Sequence, residues 1–191
     1  INGIIYTVGG HTTSAYLMES ATAYNPATDQ WTLIAALPTR RVYLGVGVID
    51  GILYAVGGQD ASDYASRTLE IYDPATNTWA GRTAMQTPRR GLGVGVINGI
   101  LYAVGGYDTY TDQALATVEA YNPATNTWSA RASMQTARMH HAVAVLNGKL
   151  YALGGYDAGR QEPVTSVEVY DPSTNSWSPA APMPVKRAYH A

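Results

Sequence analysis

A repeat of 48 to 49 residues constrains this chain of 191 residues more than any other feature. Three kinds of marker recur four times in the same phase. The markers are the glycine pairs Gly9-Gly10, Gly57-Gly58, Gly105-Gly106 and Gly154-Gly155, the tyrosines Tyr24, Tyr72, Tyr121 and Tyr170, and the tryptophans Trp31, Trp79, Trp128 and Trp177. Agreement of three markers over four periods predicts four copies of one structural unit.

One copy of the unit shows how it should fold. Leu92–Ile97 and Ile100–Val104 are apolar runs rich in β-branched residues, which predicts two strands. Asn98-Gly99 between them suits a type I′ hairpin turn, and Gly105-Gly106 ends the second strand where a bulky side chain would not fit. Thr117–Tyr121 predicts a third strand, and the tryptophan of the repeat opens a fourth. The unit is therefore an antiparallel four-stranded meander.

An apolar strand that ends in Gly-Gly, followed by the tyrosine and the tryptophan, resembles the Kelch repeat. Tyr54–Gly58 (Tyr-Ala-Val-Gly-Gly) and Tyr72–Pro74 (Tyr-Asp-Pro) carry this resemblance, which covers essentially the whole chain. It implies an all-β fold, a Kelch-type β-propeller with four blades of four-stranded antiparallel sheet. The chain is then either a closed four-blade ring or a fragment of a larger propeller, and both alternatives stay open at this point.

We expect a single domain over residues 1–191. The expected blades are approximately 1–38 plus 185–191, 39–86, 87–135 and 136–184. Residues 187–191 align with 138–142 at the start of a first strand, so in a closed ring the C-terminal strand would complete the N-terminal blade. In a fragment, the open sheet faces would associate with other copies.

Composition excludes some classes of function. A formal net charge of −2 gives no electrostatic case for binding nucleic acid or an acidic membrane surface. No apolar run approaches the roughly 18 residues of a membrane span. The absence of cysteine excludes disulfides and thiol chemistry and leaves the compartment open. We expect neither a cofactor nor a metal site.

The loops that follow the double glycines differ most between repeats, so their face is the better candidate for recognition. An arginine recurs there just ahead of each innermost strand, and convergent guanidinium groups suit the capture of carboxylates. The resemblance to adaptor-type Kelch propellers implies an acidic peptide at this rim, and tyrosines add flat contact area. The candidate ligand-binding residues are Arg40, Arg41, Arg89, Arg90, Arg138, Arg187, Tyr43, Tyr64, Tyr107, Tyr156 and His141.

A structural interpretation of the arginines competes with this one. Glu70, Glu119 and Glu168 also recur, each two residues before the repeated tyrosine, and could pair with the arginines within or between blades. The first repeat has Thr22 at that position. The sequence leaves both interpretations open.

These observations predict a recognition module that binds a protein or peptide with acidic residues. We expect it not to be an enzyme, because Gly-x-Ser-x-Gly, His-Glu-x-x-His and a cysteine nucleophile are all absent. One alternative is a carbohydrate-binding or sugar epimerase/mutarotase-like protein using the central pocket, similar to the sialic acid enzymes built from Kelch repeats. Another is a truncated or amplified scaffold with no independent function.

Overall fold

The computed structural model of the chain describes residues 1–12, 18–157, 159 and 162–190. In those residues all regular secondary structure is strand. No helix in these ranges is long and apolar enough to cross a membrane.

The strands form four successive meanders. The first sheet contains β1 (Ile5–Val8), β2 (Ala21–Asn25) and β3 (Gln30–Leu33), and the second contains β4 (Gly45–Ile49), β5 (Ile52–Val56), β6 (Leu69–Asp73) and β7 (Thr78–Arg82). The third contains β8 (Gly93–Ile97) and β9 (Ile100–Val104), then, after a ribbon of β10 (Tyr107–Asp108) and β11 (Gln113–Ala114), β12 (Val118–Asn122) and β13 (Thr127–Arg131). The fourth contains β14 (Ala142–Leu146) and β15 (Lys149–Leu153), then, after a ribbon of β16 (Tyr156–Asp157) and β17 (Glu162–Pro163), β18 (Val167–Asp171) and β19 (Ser176–Ala180).

Turn chemistry fixes the register of each meander. Asn98 and Gly99 both have positive φ, 49° and 74°, which is the backbone of a type I′ turn and pairs Ile97 with Ile100. At the end of β9, Gly105 also has positive φ, and a Cβ there would lie 2.6 Å from the carbonyl oxygen of Arg138. Both predictions about these glycine-containing segments are confirmed.

The repeated aromatic residues join neighbouring sheets. The Trp128 Nε1 group donates a 2.7 Å hydrogen bond to the carbonyl of Thr83, at the end of the second sheet. Asn126 Oδ1 accepts from the hydroxyl of Tyr121 at 2.8 Å and from the amide of Thr83 at 3.1 Å. Trp79 and Trp177 make the same contact, 2.8 Å long in each case. The tryptophans of the second, third and fourth repeats therefore pack between neighbouring sheets.

The four sheets form an open arc in the described residues. The first sheet has three strands, and β1 is its edge because the innermost strand of the other three sheets has no counterpart there. Arg187 forms a bridge with Val164 of the fourth repeat. The assignment of residues 185–191 to the first blade stays a prediction, and Ala191 lies outside the described residues. The open arc leaves one face of the first sheet and one face of the fourth without a neighbouring sheet.

Candidate functional site

The repeated arginines lie inside the protein. The Arg89 side chain is fully buried, and its Nη1 donates to the carbonyls of Gly105 at 2.8 Å and Thr117 at 2.9 Å. Its Nη2 donates to Glu119 Oε1 at 2.8 Å. The second carboxylate oxygen, Glu119 Oε2, accepts a 2.8 Å hydrogen bond from the amide of Gln86. The ion pair therefore ties the third sheet to the segment that precedes it.

The same arrangement recurs in the second and fourth repeats. Arg41 pairs with Glu70 at 2.7 Å, and Arg138 pairs with Glu168 at 2.6 Å, with both guanidinium groups fully buried. Burial lowers the pKa of each of the three arginines, and the neighbouring carboxylate counteracts that effect. A buried pair of this kind is costly to break, because the remaining partner becomes an uncompensated buried charge.

The prediction that Arg41, Arg89 and Arg138 contact a ligand is therefore wrong. The side chains point inward, and blade carboxylates and carbonyl groups accept hydrogen bonds from their Nη1 and Nη2 groups, so a ligand arriving from solvent does not reach them. The competing interpretation, pairing with Glu70, Glu119 and Glu168, is confirmed.

The flanking cations lie nearer to solvent. Arg40 and Lys186 are exposed and form ion pairs with Glu19 and Glu162. Arg90 is half-buried and donates a hydrogen bond to Gln59. Its Cζ atom lies over the ring of Tyr107, 5.2 Å from the ring centre. Arg187 is exposed. The arginines equivalent to Arg187 in the other repeats each pair with a glutamate of the sheet that follows them. The first repeat has Thr22 at this glutamate position.

The loop tyrosines occupy separate places on this face. Tyr107 donates to Asp112 within its own loop. Tyr64 stacks on Tyr110 of the next repeat, with ring centres 4.8 Å apart. The backbone of Tyr156 pairs with that of Met139. Between the second and third repeats a groove of about 650 Å³ opens, and Asp60, Arg67, Pro88, Asp108 and Tyr110 are among the residues that line it.

A second repeated position, two residues after the arginine, forms a continuous row across the sheets. Its members are Tyr43, Gly91, His140 and Tyr189, all in the left-handed region of φ, between 52° and 58°. Their backbones are linked in sequence: Gly91 N donates to Tyr43 O at 2.8 Å, His140 N to Gly91 O at 2.7 Å, and Tyr189 N to His140 O at 2.9 Å. We call this row the aromatic arc.

The rings of the aromatic arc touch across the glycine. Tyr43 meets His140 edge-on at 5.3 Å between ring centres, and His140 stacks on Tyr189 at 4.1 Å. A Cβ on Gly91 would lie 2.7 Å from the His140 ring, so only glycine leaves room for this contact. Together with Leu44, Leu92, His141 and His190, the arc lines a recess of about 300 Å³.

His141 lies at the floor of this recess. Leu44 and Leu92 occupy the same position in the second and third repeats, and the histidine replaces them in the fourth. The imidazole is buried, and neither ring nitrogen has a hydrogen-bond partner among the described residues. Burial, with a smaller contribution from Arg138, lowers the pKa of His141 to about 3, so the ring is neutral at pH 7. Burial and the nearby Arg90 lower the pKa of His140 to about 4.

Sequence reasoning named Tyr43 and His141 but missed the arc. The row contains Tyr, Gly, His and Tyr, so it does not stand out as a repeated residue. The available signal was the single Gly91, which at a repeated position indicates a backbone with positive φ. No group of three or more metal-ligating side chains occurs in the part of the chain that the structure describes.

The Kelch motif matches residues 1–38, 40–86, 88–135 and 137–184, nearly the whole chain. The chain belongs to the Kelch family. Kelch-like ECH-associated protein 1A of Danio rerio is 49% identical over 51 residues, and a putative F-box/kelch-repeat protein of Arabidopsis thaliana is 40% identical over 45 residues. These matches cover 25% and 24% of this chain but 8% and 13% of the relatives. Kelch repeats commonly mediate protein–protein interaction.

The solved structure of YjhT is similar to this Kelch chain with a TM-score of 0.83 at 19% identity, over 98% of this chain and 65% of YjhT. This likeness shows the propeller fold. It also overturns the expectation that the chain is not an enzyme. That expectation rested on missing catalytic motifs, whereas a fold of this kind hosts catalytic and binding functions alike. The missing motifs therefore decide nothing about catalysis.

Proposed function

We propose that this chain is a protein-recognition module whose peptide ligand binds at the aromatic arc. One observation carries the proposal: aromatic side chains stand at three of four equivalent positions where the backbone has positive φ. Glycine adopts this conformation without strain, and Gly91 does so in the third repeat. Strained backbone that surrounding hydrogen bonds maintain is typical of ligand sites.

The contact surface suits a peptide. Tyr43 and Tyr189 are exposed, and His140 is half-buried between them. Flat amphipathic rings lose few rotamers on binding and are enriched in the energetic centres of interfaces. Hydrogen bonds between repeats fix the backbone of the three aromatic residues, and their ring contacts order the side chains before the ligand arrives. This order lowers the entropy cost of binding.

The electrostatics favour an acidic group in the ligand. Positive charge near the recess comes from Arg90 and Arg187. Burial lowers the pKa of His140 and of His190, and Arg90 and Arg187 respectively add to that effect. His140, with a pKa of about 4, is neutral at pH 7. Within the described ranges Arg187 forms no ion pair with a carboxylate, unlike the buried Arg41, Arg89 and Arg138. A carboxylate of the ligand would be attracted by these two guanidinium groups.

Panning a random peptide library displayed on phage tests the proposal. The bait is the 191-residue chain, and the matched comparison replaces Tyr43, His140 and Tyr189 by glycine, the residue that the third repeat already uses. We expect enriched peptides to bind the comparison variant at least tenfold more weakly, and a Tyr110→Ala control to bind as the original chain does. Equal binding by the glycine variant would exclude the arc as the site.

Substitution within the peptide tests the acidic component separately. Enriched peptides are synthesised with each Asp and Glu replaced by Asn and Gln. We expect weaker binding of the neutral peptides, and weaker binding of the acidic peptides by Arg187→Gln. If neutral and acidic peptides bind alike, the arc recognises aromatic or apolar side chains and the carboxylate preference is wrong.

A further inference from the structure

The groove between the second and third repeats is lined by other residues than the recess of the aromatic arc. Its volume is about 650 Å³, against about 300 Å³ for that recess. Ala65, Ala84 and Pro88 give the groove an apolar lining, and Arg67 and Asp60 bring opposite charges to it. Small-ligand sites have this size and combine an apolar lining with a few polar groups in this way.

Arg67 occupies a position that recurs in all four repeats. Its carbonyl accepts a 2.9 Å hydrogen bond from the amide of Met85. The carbonyls at the equivalent positions accept the same kind of bond at 2.8 to 2.9 Å, and these positions hold Glu19, Ala116 and Thr165. The backbone is therefore the same in each repeat, whereas the side chain changes from acidic to basic to neutral.

In the first and fourth repeats, a carboxylate of the chain itself balances the cation at this place. Arg40 is equivalent to Pro88, because each directly precedes a buried arginine, and its Nε lies 2.5 Å from Glu19 Oε2. Lys186 stands at the same position in the fourth repeat and pairs with Glu162. That pair lines a groove of only about 150 Å³.

The second repeat has the cation without a carboxylate of its own. Arginine stands where the first repeat has Glu19, and proline stands where it has Arg40. Arg67 is exposed, and in the described ranges its guanidinium group forms neither an ion pair nor a hydrogen bond. The groove therefore presents a guanidinium group whose paired donors match a carboxylate in both charge and geometry.

Two further side chains indicate what accompanies the carboxylate. Tyr110 lines the groove and is 65% exposed, and Tyr64 stacks on one face of its ring with ring centres 4.8 Å apart. An aromatic ligand can stack on the other face. Asp60 accepts the amides of Ser62 and Tyr64 through Oδ1, at 2.8 and 3.4 Å. Its Oδ2 atom can accept a hydrogen bond from an N–H group of a ligand.

Asp108, a second carboxylate at the groove, is balanced from within the protein. It is buried. Burial lowers the pKa of Arg89, and the charges of Glu119 and Asp108 counteract this effect. The groove therefore offers a ligand one cation, Arg67, and one anion, Asp60. This balance suits a ligand that carries both a carboxylate and an amino group.

We propose that this groove binds an aromatic amino acid, with its carboxylate on Arg67, its ring on Tyr110 and its nitrogen on Asp60. The amino acid is either free or the C-terminal residue of a peptide, where an amide N–H replaces the amino group. This site is separate from the aromatic arc, and either site can bind its ligand without the other.

Titration of the isotope-labelled chain with L-phenylalanine, followed by NMR, tests the site directly. A ligand of this size reaches a Kd of about 1 mM at a modest binding energy per atom. We expect the amide signals of Ser66, Arg67 and Tyr110 to shift and to saturate in that range. The signals of Gly91 and His140 in the aromatic arc should stay in place. Absence of saturable shifts at the groove overturns the proposal.

Related probes separate the parts of the ligand. Phenethylamine lacks the carboxylate and should bind about tenfold more weakly than L-phenylalanine, because it loses the charge-assisted hydrogen bonds to Arg67. L-leucine lacks the ring and should bind more weakly as well. Equal binding of phenethylamine and L-phenylalanine overturns the role of Arg67. N-acetyl-L-phenylalanine imitates a peptide C-terminus: tighter binding than that of L-phenylalanine identifies a peptide as the source, and weaker binding identifies the free amino acid.

Variants of the groove provide the matched comparison. Arg67→Gln removes the cation and should weaken the binding of L-phenylalanine about tenfold. Arg82→Gln, at an exposed arginine of β7 outside the groove, should leave it unchanged. Arg67→Glu combined with Pro88→Arg reproduces the Glu19–Arg40 pair of the first repeat, so the groove is filled by the chain and binding should be lost. Unchanged binding by Arg67→Gln or by the double variant overturns the proposal.

Discussion

The repeated arginines, here called the arginine column (Arg41, Arg89, Arg138 and Arg187), lie two residues before the aromatic arc in each repeat. The two sets differ in burial and in how strictly the residue type repeats. Arg41, Arg89 and Arg138 are identical in residue type, buried and paired, and each joins a sheet to the segment before it. The arc varies from tyrosine to glycine to histidine, and its tyrosines face solvent. Strict repetition is therefore typical of the residues that hold the sheets together. Variation of side chains on a repeated backbone is typical of the surface that distinguishes one repeat from another.

The largest effect should come from the arginine column itself. Arg89→Ala leaves Glu119 buried without its counter-ion, and breaking a buried pair in this way costs about 3–5 kcal/mol. Arg187→Ala is the matched control, because the same residue type at the same repeat position is exposed, and surface substitutions usually change stability by about 0.5 kcal/mol or less. Urea unfolding of the two variants measures the difference. Equal stability of the two variants would mean that the buried pairs do not hold the sheets together.

Acid should destabilise the protein through the histidine beneath the arc. The pKa of His141 is about 3 in the folded protein and about 6.5 when unfolded, so the unfolded chain binds the extra proton between these values. Stability is therefore fully present above pH 6.5 and is lost as the pH falls toward 3. Arg138, His140 and His190 surround the ring and disfavour its charged form.

His141→Leu isolates this effect, since leucine occupies the same position in the second and third repeats. The stability lost between pH 7 and pH 5 should be about 2 kcal/mol smaller in the variant than in the original chain. Urea unfolding at the two pH values measures it. His140, with a pKa of about 4, remains in both proteins and contributes equally to each. An unchanged pH dependence would show that His141 titrates normally.

The sequence predicted the sheets better than it predicted the site. Periodic glycine, tyrosine and tryptophan specify turns and packing, because each has a conformational or steric reason to recur. Spacing does not specify which way a side chain points, so the arginine column fitted an exposed rim and a buried pair equally well. The glutamates that recur with the arginines, Glu119 and its equivalents, indicated that the arginines form buried ion pairs. Arc residues were hidden because only their backbone conformation repeats.

Removing a hydrogen-bond acceptor should have an intermediate effect on stability, and the effect should be larger at an internal sheet junction than on the open face of the first sheet. Asn126→Ala removes the acceptor of two hydrogen bonds, from the Tyr121 hydroxyl and the Thr83 amide, in a position with φ of 54°. Lost hydrogen bonds of this kind cost about 1 kcal/mol each, so a loss of about 2 kcal/mol is expected. Asp29→Ala removes one such bond and should cost about half as much. Urea unfolding of the two variants measures the losses. Equal losses would contradict the assignment of the second bond to the junction.

The smallest effect tests the strain in the arc. Tyr43→Gly and Tyr43→Ala remove the same ring, but only alanine must keep a Cβ at φ of 54°. The glycine variant should therefore be more stable than the alanine variant by about 1 kcal/mol, after the greater entropy of glycine in the unfolded chain is included. At Tyr110, which lies outside the positive-φ region, the order should reverse. Thermal and urea unfolding of the four variants supply the comparison. If alanine is the more stable replacement at both positions, the arc is unstrained, and its aromatic side chains need no explanation from binding.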